Sequence, residues 1–229
     1  ALVTSLPVRA RDTFEPVSPE DGAVVAPDSA PVPFAWHAGE HSVIQVAFFS
    51  RGGLRPFLAL PRRGTSATAM ALDPTSWRQL LLRMAHGPVE WGVRARDAQG
   101  RLVDSPRHGL RLAPARAPEI ACPAPGARFA ADGTALEGGC EGPGPWLRWA
   151  AQGSSAFQIR WSARPDLRNA TVVGAGYRLA ATGFTPTLAR WRDLAARARG
   201  AGGVVYVQVQ GRDRAQRRTE SPPLRLVIE

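Results

Sequence analysis

The stretch Val89-Glu-Trp-Gly-Val-Arg-Ala-Arg-Asp-Ala-Gln-Gly-Arg-Leu-Val-Asp-Ser105 decides the fold. Val89, Trp91, Val93 and Ala95 alternate with Glu90, Gly92, Arg94 and Arg96, the period of a strand that buries one face. Asp97-Ala-Gln-Gly100 supplies turn chemistry, and Gly100 takes a positive φ at no steric cost, so the segment predicts a hairpin. The same pattern returns near the C-terminus. Val205, Val207, Val209 and Gly211 alternate with Tyr206, Gln208 and Gln210, Arg212-Asp213 repeats Arg96-Asp97, and Ser221-Pro222 follows as Ser105-Pro106 does.

Working outward from the two hairpins, the rest of the chain also pairs off. Phe34 and Trp36 are answered by Leu147 and Trp149, and Ile44-Gln-Val46-Ala-Phe48 by Phe157-Gln-Ile159-Arg-Trp161. Asp73-Pro74 begins a helix whose Trp77, Leu80, Leu81 and Met84 share one face, with Asp73 placed to cap the free amides. Thr185-Pro186 is the corresponding helix start before Trp191, Leu194, Ala195 and Ala198. Each helix is expected to cross from one sheet to another just before its hairpin. Ala23-Val24-Val25 reads as the first strand. Leu54 to Leu60 and Ala67 to Leu72 read as strands separated by Pro61-Arg-Arg-Gly64. The expected organisation is an extended lead-in over 1–13, one antiparallel β-sandwich over 14–112, a proline-bearing linker over 113–118, and a second sandwich over 119–229.

Composition bounds what such a chain can do. The net charge of +10 comes entirely from arginine, with no lysine in the sequence, and alanine, glycine and proline are abundant. That usage points to a GC-rich bacterial source. The charge is spread over both halves instead of gathered on one helix or face, so a nucleic-acid partner is not expected. No apolar run is long enough to cross a bilayer as a helix. Nor does a charged-then-apolar leader open the sequence, so any signal peptide is expected to have been removed. Cys122 and Cys140 form an even set without metal-ligand spacing, which favours a disulfide in an oxidising compartment, with two buried free thiols as the alternative. A bond between them would pin the extra residues after Gly126 to the first strand of the second unit.

Trp91-x-Val93-x-Ala95-x-Asp97-x-x-Gly100, followed by Ser105, resembles the last two strands of fibronectin type III modules, and Trp36 sits where their second-strand tryptophan sits. The likeness is to tandem fibronectin-like (immunoglobulin-like) repeats of bacterial envelope and secreted proteins, whose Pro-Asp-aromatic turn appears here as Pro165-Asp-Leu167 in the second unit. It covers nearly the whole chain. One departure is that Trp91 and Val207 replace the usual tyrosine, which removes the tyrosine-corner hydrogen bond. The resemblance implies an extracytoplasmic home, periplasmic, outer-membrane-associated or secreted, and supplies no catalytic residue.

Several residue groups carry candidate chemistry. His37-Ala-Gly-Glu-His41 spells a zinc-peptidase pattern, but that chemistry needs a helix and Gly39 places these residues in a turn, so no metal is expected. Arg212, Arg214, Arg217 and Arg218 crowd the second hairpin tip, where guanidinium forks suit carboxylate, sulfate or phosphate. Trp146, alternating away from Leu147 after a Gly-Pro run, is expected to be exposed and available to a glycan or a neighbouring domain. Trp36, Trp77, Trp91, Trp149 and Trp191 are expected in the cores. Asp97 and Asp213 read as turn residues, and Ser154-Ser155 has no base beside it. Asn169-Ala-Thr171 matches a glycosylation sequon whose use a bacterial source argues against. These features predict a non-enzymatic structural or adhesive protein-interaction module without cofactor. Its partner would be another envelope protein or, alternatively, an acidic glycan held by the arginine-rich loop.

Overall fold

The computed structural model describes residues 13–142 and 146–229, so the expected lead-in over 1–13 lies outside the described residues apart from Thr13. The chain divides into two compact units between Ala113 and Pro114. Among the described residues no helix is long and apolar enough to cross a membrane.

In the first unit, strands β1 (Phe14–Ser18), β2 (Ala23–Val25), β3 (Pro33–Ala38), β4 (Ile44–Ser50), β5 (Leu58–Thr65) and β6 (Ala69–Ala71) precede helix α1 (Pro74–Met84), and β7 (Val89–Arg96), β8 (Leu102–Asp104) and β9 (His108–Leu112) follow it. They form a three-stranded sheet, β1-β3-β6, and a larger one, β2-β9-β7-β4-β5, with β8 also on β7. The central pair β4 and β7 runs antiparallel from Ile44 opposite Ala95 to Ser50 opposite Val89. Ile44, Val46, Phe48, Trp91, Val93 and Ala95 are all buried, as the period-two pattern requires. From the smaller sheet Phe34 reaches between them, its ring 5.0 Å from both Phe48 and Trp91. Burying an aromatic of this size contributes roughly 1.5–3 kcal/mol.

Two features differ from the sequence expectation. Phe14–Ser18 is a strand despite Pro16, because it is the edge of its sheet and an edge tolerates a missing amide. The chain then turns through Gly22, at φ +77°, and enters the other sheet as β2, parallel to β9. Pro61-Arg-Arg-Gly64 does not separate two strands; it lies inside β5 as a bulge. The register jumps from Ile44 opposite Thr65 to Val46 opposite Leu60, and Gln45 Nε2 donates to the carbonyls of Pro61 and Arg62 at 3.0 and 2.8 Å. That side chain satisfies carbonyls the ladder would otherwise leave open.

Helix α1 carries the chain from β6 in one sheet to β7 in the other. Asp73 caps it, Oδ1 accepting from the amides of Thr75 and Ser76 at 2.9 and 3.0 Å, and Trp77, Leu80, Leu81 and Met84 are buried beneath it.

The second unit holds β10 (Glu119–Cys122), β11 (Arg128–Phe129), β12 (Ala135–Glu137), β13 (Leu147–Ala150), β14 (Ala156–Ser162), β15 (Thr171–Val173), β16 (Gly183–Phe184), α2 (Leu188–Arg199), β17 (Val204–Arg212), β18 (Arg218–Glu220) and β19 (Leu224–Ile228). Its sheets are β10-β13-β16 and β12-β11-β19-β17-β14-β15, with β18 on β17. The central pair β14 and β17 is antiparallel from Ala156 opposite Arg212 to Ser162 opposite Tyr206. Helix α2 starts later than the sequence suggests. Its cap is Thr187, whose hydroxyl accepts from the amide of Arg190 at 3.4 Å, while the Thr185 hydroxyl accepts from the amide of Trp146 at 3.3 Å.

Cys122 and Cys140 form a disulfide, with Cα atoms 5.3 Å apart and a sequence separation of 18. It joins the end of β10 to the inserted segment after β12. Trp146 corrects the expectation of an exposed aromatic: it is 9% exposed and belongs to the core. Its ring lies 5.0 Å from Trp191 and 5.5 Å from Phe129. The residue precedes β13, so strand alternation does not govern it. Trp149 and Trp191 are buried in the same cluster, and Trp36, Trp77 and Trp91 are buried within the first unit.

Candidate functional site

The hairpin tips of the two units share one internal scaffold. In the first, Asp97 Oδ1 accepts from the amides of Gln99 and Arg101 at 2.9 Å, and Oδ2 accepts from Arg101 Nε at 2.8 Å. Partial desolvation pushes the Asp97 carboxyl up, but these bonds from Arg101 and Gln99 outweigh it and leave the group below the usual carboxylate range. In the second, Asp213 is buried and accepts from the Arg217 amide and Arg217 Nε at 2.9 and 2.8 Å. Arg217 is therefore a structural member of the turn and not a free fork at its surface.

Of the other predicted tip arginines, Arg212 and Arg218 stand directly opposite each other across β17 and β18. Both guanidinium groups lie over the Tyr177 ring, 4.8 and 5.7 Å from its centre. Tyr177 itself holds φ +62°, a left-handed backbone rarely adopted by a bulky residue, in the loop that follows β15. The neighbouring Gly176 amide donates to Gln158 Oε1 at 3.2 Å, which ties that loop to the outer face of the sheet. Among the described residues no carboxylate pairs with Arg212 or Arg218, and Arg214 is exposed. The structure thus brings two of the four arginines together on an aromatic ring that sequence reading did not single out. Its only signal was an isolated tyrosine in Gly174-Ala-Gly-Tyr177. Trp146, in the core, takes no part.

A second cluster of arginines lies on the outer face of the larger sheet of the first unit. Phe49 points outward yet is buried, because the Arg107 guanidinium covers its ring at 3.5 Å while Nη1 donates to the Gly53 carbonyl at 2.7 Å. Arg94 donates to both oxygens of Asp104 at 2.6 and 2.8 Å. This bidentate bond holds the Asp104 carboxyl below its ordinary range and the Arg94 guanidinium above its own. Between Arg94 and Arg96 on one side and Arg62 and Arg63 of the β5 bulge on the other runs a groove of about 160 Å³.

The strand edges form a third feature. Val17 on β1, Val24 on β2, Leu136 on β12 and Val172 on β15 are all exposed, and each of these strands is the outermost of its sheet. The His37–His41 motif is no metal centre: His37 is on β3, Gly39 turns the chain at φ +55°, and His41 packs edge-on to Phe14. Among the described residues no group of His, Cys, Asp and Glu side chains is placed to hold a metal ion.

No protein-family model matches the chain, and no curated protein matches its sequence. Among solved structures it is similar, at 13% identity and a TM-score of 0.34, to a structure described as giving insight into host cell surface retention of a 1.5-MDa bacterial ice-binding adhesin. That match covers 91% of this chain and 61% of the other. It is also similar to the fibronectin(III)-like modules of Clostridium thermocellum CbhA, at 12% identity, a TM-score of 0.26, and 93% and 91% coverage. Extracellular domains 3–5 of Drosophila OTK match at 12% identity and a TM-score of 0.27, over 98% of this chain and 67% of theirs.

Proposed function

We propose that this chain is a non-enzymatic protein-interaction module of a bacterial extracytoplasmic assembly, built as a duplicated fibronectin-like unit. One observation carries the reading: the outermost strands of the sheets present apolar side chains to solvent, with Val24 61% and Val172 41% exposed. Proteins that avoid association guard such edges with lysine, proline or inward charge. An open edge bearing an exposed valine offers backbone donors and acceptors plus apolar area to an extended partner strand. The Cys122–Cys140 bond supports an oxidising compartment. Matching hairpin devices support the duplication: Asp97 with Arg101 and Asp213 with Arg217, and Ser105 and Ser221 bonded alike.

The test is retention of a protein by the immobilised chain from the extracytoplasmic fraction of its source cells. Loss of that protein in a Val24→Lys, Val172→Lys double variant is the expected result. Equal retention by both forms overturns the edge-strand reading.

A second reading, an acidic glycan bound at the tip of the second hairpin, rests on Arg212 and Arg218 sharing the Tyr177 ring without a carboxylate partner among the described residues. Earlier elution of an Arg212→Ala, Arg218→Ala variant from a heparin column in a salt gradient is its expected signature. Identical elution removes it.

A further inference from the structure

We propose that the groove between the β5 bulge and β7 of the first unit binds a carboxylate side chain of an acidic partner segment. The proposal rests on the protein-interaction reading above and gives it a chemistry. Arg62 and Arg63 project from the bulge, which Gln45 fixes by donating to the carbonyls of Pro61 and Arg62. Arg94 and Arg96 face them from β7. Asp104 answers one of these four cations by its bidentate bond to Arg94, and Arg96 Nη1 donates to the Gly100 carbonyl at 2.6 Å. Among the described residues neither Arg62 nor Arg63 has a carboxylate within ion-pair distance. Like charges gathered around one concavity repel each other and raise the local concentration of anions. A guanidinium fork pairs with a carboxylate through two parallel bonds.

The rim decides between kinds of acidic partner. Val43 and Leu102 flank the groove at 57% and 54% exposure, and no aromatic ring lines it. Pyranose rings are held by stacking on aromatic faces, which this groove does not offer. Aliphatic shoulders beside a cluster of guanidinium groups instead suit an extended peptide that carries acidic and aliphatic side chains on one face, two residues apart.

The experiment is a titration of the full chain with a synthetic peptide in which Glu and Leu take turns at the odd positions and Ser fills the even ones, read from the methyl resonances of Val43 and Leu102. The same peptide with Gln for Glu and a heparin-derived oligosaccharide are run beside it. The expected result is a shift of both methyls by the acidic peptide. Binding should weaken roughly tenfold or more in an Arg62→Glu, Arg63→Glu variant, the size of losing a charge-assisted pair. It should also weaken as salt shortens the screening length from about 10 to about 3 Å between 0.1 and 1 M. Both substituted residues are exposed, and the Gln45 bonds go to the backbone carbonyls of Pro61 and Arg62, which the substitutions leave in place, so the fold is checked by unchanged amide shifts along β4 and β7. Equal binding of the Glu and Gln peptides, wild-type affinity in the double variant, or tighter binding of the oligosaccharide at the same methyls each overturns the proposal. Such failure with the Val24, Val172 retention result intact removes the groove and leaves the edge-strand reading standing.

Discussion

Removing one hydroxyl from each unit tests the idea that both hairpins are closed by the same device. The strand after each tip is interrupted by Ser-Pro, and proline has no amide to offer the ladder. Ser105 repairs the gap: its amide donates to the Val93 carbonyl at 2.9 Å, its Oγ accepts from the Val93 amide at 3.0 Å, and that Oγ donates to the Pro106 carbonyl at 2.6 Å. Ser221 does the same with Val209 and Pro222, at 2.9, 3.1 and 3.0 Å. Both serines are buried. Ser105→Ala therefore leaves the Val93 amide facing a methyl group in a place closed to water. An orphaned buried donor costs about 1–3 kcal/mol. The partly buried Pro106 carbonyl can turn to solvent and adds little. A loss of about 2 kcal/mol is expected, which is roughly thirtyfold in the unfolding equilibrium. Ser221→Ala should cost the same in the second unit. The assay is urea unfolding followed by tryptophan fluorescence, together with hydrogen exchange at the Val93 and Val209 amides. Exposed Ser42→Ala is the reference, expected within about 0.5 kcal/mol of wild type. Should Ser105→Ala match that reference while the Val93 amide stays protected, the hydroxyl is not the acceptor that completes the ladder and the argument fails.

Replacing both cysteines by serine opens a loop closed over 18 residues, and the loop-entropy relation predicts a loss of about 3 kcal/mol, read as faster exchange over β10 and β13 with β4 and β7 of the first unit unaffected. Trp146→Ala should destabilise by about 3–5 kcal/mol, as for a large core aromatic, while Arg214→Ala at the exposed tip should change stability by less than about 0.5 kcal/mol, both by urea unfolding. The Asp104 carboxyl is lowered by Arg94, and the Asp73 carboxyl is lowered by the Ser76 hydroxyl and the helix amides. A depressed folded-state carboxylate contributes stability that is fully present above its unfolded value, about 3.9, and is lost as pH falls through the lower folded value. Acid unfolding should accordingly begin below about pH 4 from these groups, and Asp104→Asn should flatten that part of the stability–pH curve.

What could be read from the residues and what could not divide along a physical line. Strands buried on one face write their period directly into the sequence, so β7 and β17 are legible from Val89 to Ala95 and from Val205 to Gly211. A cap is legible when its oxygen serves nearby amides, as Asp73 does. Thr185 has the same local look, but its hydroxyl serves Trp146, far away in the chain, and Thr187 caps the helix instead. Local rules also misplace Pro61-Arg-Arg-Gly64. Those residues have turn chemistry, and only the Gln45 side chain, reaching across from β4, makes a bulge out of what would otherwise end the strand.

The candidate sites follow the same division more sharply. A cluster such as Arg62, Arg63, Arg94 and Arg96 comes from two segments whose adjacency is created by strand register, so no window of sequence contains it. The tip arginines do lie in one window, and there sequence overstated the case, since Arg217 turns inward to Asp213. An arginine one residue before a turn aspartate and one four residues after it have different work to do, and the sign of the charge does not say which. The edge-strand valines are the opposite case. Each sits in a short apolar run that reads as core, and only the sheet order shows that Val24 and Val172 belong to strands with an unpaired side. The proposed edge-strand interaction therefore depends on which strands are outermost, a property of the assembled sheets and not of any segment that composes them.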